Sequence, residues 1–417
     1  MSNIIKAEFA TTSKKEMTFA GKKLMLETGE LAGLSNLAVK ATYGDTVILI
    51  ATTSGKANPE IDFFPLTVSY EEKLYASGSI KSARFVKRDG RAPDEATVSK
   101  RMVDHAIRPL FPADYMDEVN VVITVLSLDE DSDPEFLAMV GTSACLHASN
   151  IPWYGPMLST KVSFINNDYL LNPTKKQSEE QSDLNMMVSF VGKERLFLAV
   201  EAEVNILPEE KVLGAIEFAR NNLDTLYDFI EGFAKEVNPE NTKYKYESKA
   251  LSEALINDVS VIAKEKIVEM MKQGWDKIKM KVALQDLLVE ITTALEGKYK
   301  RYEMARAMDV IEKHAIQHLI LDEGLRPDGR KVDEVRHIDT KVGVLPRTHG
   351  SALFTRGITQ SLTVVTLGSP SLELFIQNMW GEKTKRYIHY FNAPPYSNGE
   401  VGRMSGPGGR EVGHGML

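Results

Sequence analysis

Gly343–Gly357 reads GVLPRTHGSALFTRG, and the β-type run SLTVVTL follows it at Ser361–Leu367. The beginning of the chain carries a matching frame. Gly29-x-Leu31, Ala38 and Gly44-x-Thr46-x-x-Leu49 have counterparts in Gly343-x-Leu345, Ala352 and Gly357-x-Thr359-x-x-Leu362, offset by 314 residues and by 313 after one gap. A frame that recurs with the same strand pattern behind it predicts a duplicated core. The first copy runs from Phe9 to Arg220, whereas only 93 residues stand between Leu325 and Leu417. The second copy is therefore expected to be incomplete and the chain to be a fragment or the product of a truncated gene.

Working outward, the first copy reads as mixed α and β, with β-rich runs at Val47–Thr53, Phe64–Tyr70, Asn120–Leu126 and Leu196–Glu201. Between them, PEFLAMVGTSACLHAS at Pro134–Ser149 has Asp133 and Pro134 as N-cap and first helical residue, and its small apolar composition predicts a helix buried on most sides. A buried helix on a sheet implies a layered core. EVNPENTKYKYES at Glu236–Ser248 lapses into polar sequence and reads as a linker. Beyond it, apolar residues recur at three- and four-residue steps from Leu251 to Leu319, with breaks near Gly274 and Gly297, predicting three amphipathic helices. The expected domains are 1–235, a linker at 236–248, an all-helical unit at 249–320 and a partial second core at 321–417.

Composition sets outer bounds. With 43% apolar and 26% charged residues the chain is ordinary globular material. Its longest strongly apolar stretch, Val119–Leu128, is far short of the roughly 18–20 residues a spanning helix needs, and Met1–Ala20 has no apolar segment ahead of a cleavage site. One cysteine, Cys145, excludes an intrachain disulfide and every multi-cysteine metal site. A soluble, cytoplasmic protein with no membrane partner is the expectation. Fifty Lys and Arg against 58 Asp and Glu give a net charge of −8, so any nucleic-acid contact must come from a local basic patch.

Several chemistries lack their residues. There is no Gly-x-x-x-x-Gly-Lys-Ser/Thr loop for nucleotide phosphates and no Gly-x-Ser-x-Gly elbow. Asp129-x-Asp131-x-Asp133 opens like a calcium loop, but Pro134 stands at its glycine and Val140 at its bidentate glutamate, so a solvated helix-entry loop is expected. His314 and His318 have zinc-pair spacing without the intervening Glu. No metal ligand is assigned.

Three segments carry positive signals. KSARFVKRDGR at Lys81–Arg91 surrounds Phe85 with Lys81, Arg84, Lys87, Arg88 and Arg91. Cations that neutralise phosphates beside a ring that stacks on a base suit single-stranded RNA, and a solvated basic loop fits the same residues. Downstream, Lys100, Arg101, His105 and Arg108 recur at helical spacing and extend the patch, unless Arg101 and Arg108 pair with Asp94, Glu95 or Asp104. Gly406–Gly415 (GPGGREVGHG) reads as a flexible glycine-rich loop carrying Arg410 and His414, suited to an anion or to a plain turn. Arg347, His349 and Arg356 cluster around the start of the repeated strand.

Together, DFFPLTV at Asp62–Val68, FVKRDGR at Phe85–Arg91, IRPLFP at Ile107–Pro112, GVLPRTHGSALFTRG, PPYS at Pro394–Ser397 and REVGHG at Arg410–Gly415 resemble the bacterial polynucleotide phosphorylases along essentially the whole chain. The resemblance implies an α+β fold of duplicated ribonuclease PH-type α/β cores, the second incomplete, separated by a small all-α domain. It implies phosphorolysis of RNA from its 3′ end with release of nucleoside diphosphates, inorganic phosphate as co-substrate, Mg2+, a homotrimer around an RNA channel, and a place in an RNA-decay assembly. It assigns Arg410 and His414 to catalysis. Phe85, Lys87, Arg88, Arg91, Arg101 and Arg108 are assigned to RNA, with Arg347, His349 and Arg356 as candidate substrate contacts. Departures stand at Gly409, where the family has a second arginine, at His105 and Ala106, and at Ile358. The family's phosphate-binding serines, metal-binding aspartates and KH and OB-type domains match nothing before Leu417, so the polypeptide itself is expected to be inactive. A non-catalytic RNA-binding ring subunit is the alternative.

Overall fold

The computed structural model describes residues 12–57, 63–80, 92–404 and 406–416. The chain separates into two compact units, one formed by residues 1–248 with 373–417 and the other by 249–372.

The first unit opens with four antiparallel strands, β1 (Ser13–Phe19), β2 (Lys22–Thr28), β3 (Leu37–Tyr43) and β4 (Thr46–Gly55). β5 (Leu66–Glu71), helix α1 (Asp94–Ile107), β6 (Glu118–Ser127) and α2 (Pro134–Ala148) follow. The sheet order is β1-β2-β3-β4-β6-β5, with β5 parallel to β6. Strict alternation along β4, buried at Thr46, Ile48, Ile50 and Thr52, turns one face inward. On that face lies α2, in which every residue except Glu135 and His147 is buried. Gly141 lets it come close: a Cβ there would stand 2.5 Å from Ile50 Cδ1 and 3.2 Å from Ala41 Cβ. Phe136 fills the adjoining space, 5.5 Å from Phe19 and 5.0 Å from Tyr43, ring centre to ring centre.

A second sheet, ordered β10-β9-β7-β8, comprises β7 (Met157–Ile165), β8 (Asp168–Leu171), β9 (Ser182–Val191) and β10 (Leu196–Val204), with α3 (Lys175–Gln181) between β8 and β9. Helices α4 (Glu209–Asn221) and α5 (Asp224–Val237) complete the layer, and both sheets share one hydrophobic core.

The polar segment at 236–248 departs from the linker reading. Glu236 and Val237 still belong to α5, and the rest is strapped to the core. Tyr244 shares hydroxyl contacts with Ser54 (2.6 Å) and Tyr115, Tyr246 donates to Asp114 (2.9 Å), and Lys243 donates to the carbonyls of His147 and Ser149. Two tyrosines at alternate positions of an extended segment face the same side, a pattern that mean polarity hides.

The second unit holds α6 (Glu253–Lys272), α7 (Lys277–Ala294) and α8 (Arg301–Glu323), packed around Leu255, Val259, Ile267, Leu287, Ile291, Met304 and Ile311. Ser252 and Asp276 cap α6 and α7 by accepting backbone N–H bonds, and Gly324 ends α8 in the left-handed region. Next come β11 (Ile338–Val342), β12 (Gly350–Arg356) and β13 (Thr359–Val365), an antiparallel sheet in which every residue of β11 and β13 is exposed. Among the described residues no helix is long and apolar enough to cross a membrane.

The expected second core at 321–417 is thus divided between the units. Residues 373–417 lie in the first unit and form the hairpin β14 (Leu374–Asn378) and β15 (Gly381–Lys385) and helix α9 (Gly409–Met416). The hairpin tip anchors them: Met379 is 2% exposed within the first unit's core. Beside it, Lys175 Nζ lies 3.8 Å over the Trp380 ring and Lys383 pairs with Glu95 at 3.2 Å.

Candidate functional site

The glycine-rich segment expected to be a flexible loop is helical from Gly409 to Met416 and packs against α1. Its glycines, which oppose helix formation in isolation, are what the packing uses. Gly409 and Gly413, four apart, share the face toward α1. A Cβ on Gly409 would stand 3.1 Å from Lys100 Nζ and 3.3 Å from its Cε, and one on Gly413 would overlap the Arg101 side chain. Arg410 and His414, one step further around, are exposed together on the adjoining face, with His414 5.2 Å from Phe391.

Lys100 and Arg101 thus face α9 while Arg410 and His414 are exposed on its adjoining face, and among the described residues none of the four has an ion pair or hydrogen bond to an acid. Arg101 Nε is buried with no partner at all. The carboxylate on α9, Glu411, is already engaged: Ala393 N–H (2.7 Å) and Gly408 N–H (2.9 Å) donate to it, and those bonds hold its pKa below the ordinary value. Unpaired cations beside a helix N-terminus form a surface suited to phosphate oxygens.

The other residues along α1 serve different ends. Arg108 donates to Asp104 (2.7 Å) and to the carbonyls of Phe64 (3.3 Å) and Leu66 (3.2 Å), so it ties α1 to the chain entering β5. His105 faces Glu201 at 3.4 Å. The helical face read from spacing is thus split, with Lys100 and Arg101 turned to α9 and Arg108 to the backbone. Phe85, Lys87, Arg88 and Arg91 lie outside the described residues. In the second unit, Arg347, His349 and Arg356 are exposed, and His349 Nδ1 accepts the Leu367 N–H at 2.8 Å.

A second charged cluster lies at the N-termini of α1 and α2. Asp133, expected in a solvated loop, instead caps α2, accepts the Glu135 N–H (2.7 Å) and pairs with Lys161 at 2.7 Å. Burial opposes its ionisation, yet the Lys161 charge and these bonds leave its pKa lowered. Glu135 is pushed up by burial and by Asp133, while burial, Glu95 and Glu135 push Glu72 up to about 7. This helix N-terminus already holds its own carboxylate. Sequence reading missed the cluster because acids before a helix look like ordinary capping residues.

A divalent metal of the kind the resemblance implies needs several oxygen ligands. Among the described residues no three His, Cys, Asp or Glu side chains converge on one point, so these residues do not fit that metal.

Comparison with known proteins agrees with this architecture. Domain 1 of the 3′ exoribonuclease family matches twice, at residues 20–152 and 334–417, and domain 2 matches residues 155–222. A polyribonucleotide nucleotidyltransferase of Caldicellulosiruptor saccharolyticus is 43% identical over 405 residues, and one of Anoxybacillus flavithermus is 42% identical over 404, each alignment covering 96% of this chain. The chain spans 57% and 56% of those relatives' lengths. The crystal structure of rice (Oryza sativa) Rrp46 aligns with a TM-score of 0.41 at 13% identity, over 55% of this chain and 96% of that one. The double match of domain 1 falls on the two copies of the repeated β motif, and with domain 2 following the first copy, the chain belongs to the 3′ exoribonuclease, or ribonuclease PH, family.

Proposed function

We propose that the chain forms the greater part of a polyribonucleotide nucleotidyltransferase. Such an enzyme degrades single-stranded RNA from its 3′ end by phosphorolysis in messenger RNA turnover. The observation that carries this reading is the 40–43% identity, across 96% of the chain, to proteins of that name. In the reaction an oxygen of inorganic phosphate bonds to the phosphorus of the terminal 3′ diester and the P–O3′ bond breaks. The shortened RNA takes a proton on its 3′ oxygen and a nucleoside diphosphate leaves; the reverse reaction polymerises diphosphates. Because an anion attacks an anion, the site must supply positive charge at both groups. Arg410 offers a planar fork to phosphate oxygens, and His414, four residues on, faces the same side. Phe85, Lys87, Arg88, Arg91 and Arg101 grip the incoming strand. We extend the reading to a homotrimer, an RNA-decay assembly and the cytoplasm, and to Mg2+ as cofactor of the whole enzyme, a metal that the described residues do not themselves ligate.

Of the 417-residue polypeptide by itself we infer RNA binding without turnover. The alternative reading, a non-catalytic RNA-binding ring subunit, shares the expectation of no turnover, and the β11–β13 sheet, over which no helix among the described residues lies, supports that expectation. Arg347, His349 and Arg356 stand on that sheet and its entry, exposed, with no layer of the described residues packed over them to fix their rotamers, and catalysis needs such fixing. The test combines two measurements on the purified chain. Binding to a labelled single-stranded oligoribonucleotide is expected to weaken linearly in log–log form with salt, and incubation with phosphate is expected to release no nucleoside diphosphate. Absence of binding at low salt would overturn the RNA reading, and diphosphate release would overturn the inference of inactivity.

A further inference from the structure

The phosphorolytic reaction gives Lys100 no task. It is half-buried in α1, has no acidic partner among the described residues, and points its ammonium at Gly409, the first residue of α9, directly before Arg410. A lysine whose stem is held against a neighbouring helix loses conformational freedom, and that cost is normally offset by an ion pair or by an open path for its head to water. Here the head lies beside the first residue of a helix, 3.1 Å from where a Cβ on Gly409 would stand, and the positive end of the helix dipole disfavours another cation. Arg101, whose Nε is buried without a partner, follows Lys100 in α1, and Arg410 follows Gly409 in α9. The arrangement concentrates like charges, and an anion bound among them relieves the repulsion.

We propose that Lys100 is an anion-binding residue of the α9 site. On this view a lysine from the first copy's helix supplies the cation that position 409 of the second copy does not carry, and it contacts a phosphate group beside Arg410. A side chain at 409 would begin 3.1 Å from Lys100 Nζ and 3.3 Å from its Cε, so a cation carried there would stand in the place that the Lys100 ammonium now faces. The site would thereby require both segments to be assembled before it binds. The inference rests on the functional reading above, and its ligand is a phosphate, either an RNA backbone group or inorganic phosphate.

The experiment measures binding of a labelled single-stranded oligoribonucleotide by the full chain from about 50 to about 200 mM salt, followed by displacement with inorganic phosphate. Lys100→Ala is expected to weaken binding about 3- to 10-fold and to reduce the salt slope by about 0.7, as for one lost single-strand phosphate contact. Lys100→Arg should keep both. The double variant Lys100→Ala with Gly409→Lys should regain most of the lost affinity, a rescue that a purely structural role of Lys100 would not give. If Lys100→Ala alters only the phosphate displacement, the anion is inorganic phosphate; if it alters oligonucleotide affinity and slope, the anion is an RNA phosphate. Both results support the proposal. It is overturned if Lys100→Ala changes neither quantity while Arg410→Ala weakens binding, and in that case the functional reading survives. A wild-type chain that does not bind RNA at all removes both.

Discussion

The two copies of the β motif share a strand order and a turn, yet they are held together in different ways. In the first, α2 packs over β3 and β4, and Leu24, Leu26, Val39, Ala41, Ile48 and Ile50 are all buried in one core. In the second, Val342, Leu362, Val364 and Val365 remain exposed on β11 and β13, and no helix among the described residues lies over them. The Gly-x-Thr turn recurs in both, at Gly44 and Gly357, each at positive φ. Local sequence therefore suffices to make the three-stranded ribbon and its register. What makes it a core is the layer laid on top, which is supplied from more than eighty residues away in the first copy.

Stability should follow that difference. Phe136→Ala, which opens space between α2 and the rings of Phe19 and Tyr43, is expected to cost about 3–5 kcal/mol, whereas Leu362→Ala should fall within about 0.5 kcal/mol. Urea unfolding of each variant, followed by amide exchange at β3–β4 and β12–β13, measures both. Comparable losses would mean that the second sheet is covered in solution.

The next test uses the charged cluster at the α2 N-terminus. Burial and the neighbouring acids raise the Glu72 carboxyl to about 7, so between about pH 4.5 and about pH 7 the folded chain holds a proton that the unfolded chain has released. Stability from this group must accordingly fall as pH rises through that window and stay flat above it. Glu72→Gln should remove the fall and leave the chain more stable at pH 8 by about 1–3 kcal/mol. Lys383, Lys175, Glu95 and Glu135 also face Glu72 and are retained in the variant. A pH–stability curve of the variant that still declines through the window would assign the effect elsewhere.

Much of this was legible in the sequence, for reasons that differ by element. The buried helix at Pro134–Ala148 announced itself through its composition and cap, and the three helices of the second unit through their period, because in both the burial pattern is written within one segment. The strap at Tyr244 and Tyr246 and the helix at Gly409–Met416 were not legible. Each owes its structure to a distant surface: Asp114, Tyr115 and Ser54 for the strap, Lys100 and Arg101 for the helix. Arg410 and His414 could be picked out as a motif, whereas Lys100 looked like one more cation on an amphipathic face. Only the close approach of α1 and α9 separates it from Arg108.

That separation yields the smallest expected effect, again as a contrast between copies. Arg108 belongs to the first copy and is bound to Asp104 and to two backbone carbonyls, while Arg356, on the second copy's β12, has no partner among the described residues. Removing the Arg108 guanidinium leaves the Phe64 and Leu66 carbonyls without these donors and frees the chain entering β5, a loss of about 1–2 kcal/mol for charge-assisted bonds at a partly exposed site. Arg356→Ala removes no such bond and should stay within about 0.5 kcal/mol. The ordering reverses for RNA. Arg108→Ala should leave oligoribonucleotide affinity within about two-fold once folding is restored at lower temperature, because its donors already point at protein oxygens. An Arg108 variant that folds normally but loses RNA affinity with a reduced salt slope would return this residue to the binding surface, and the division of α1 into a structural end and a binding face would fail.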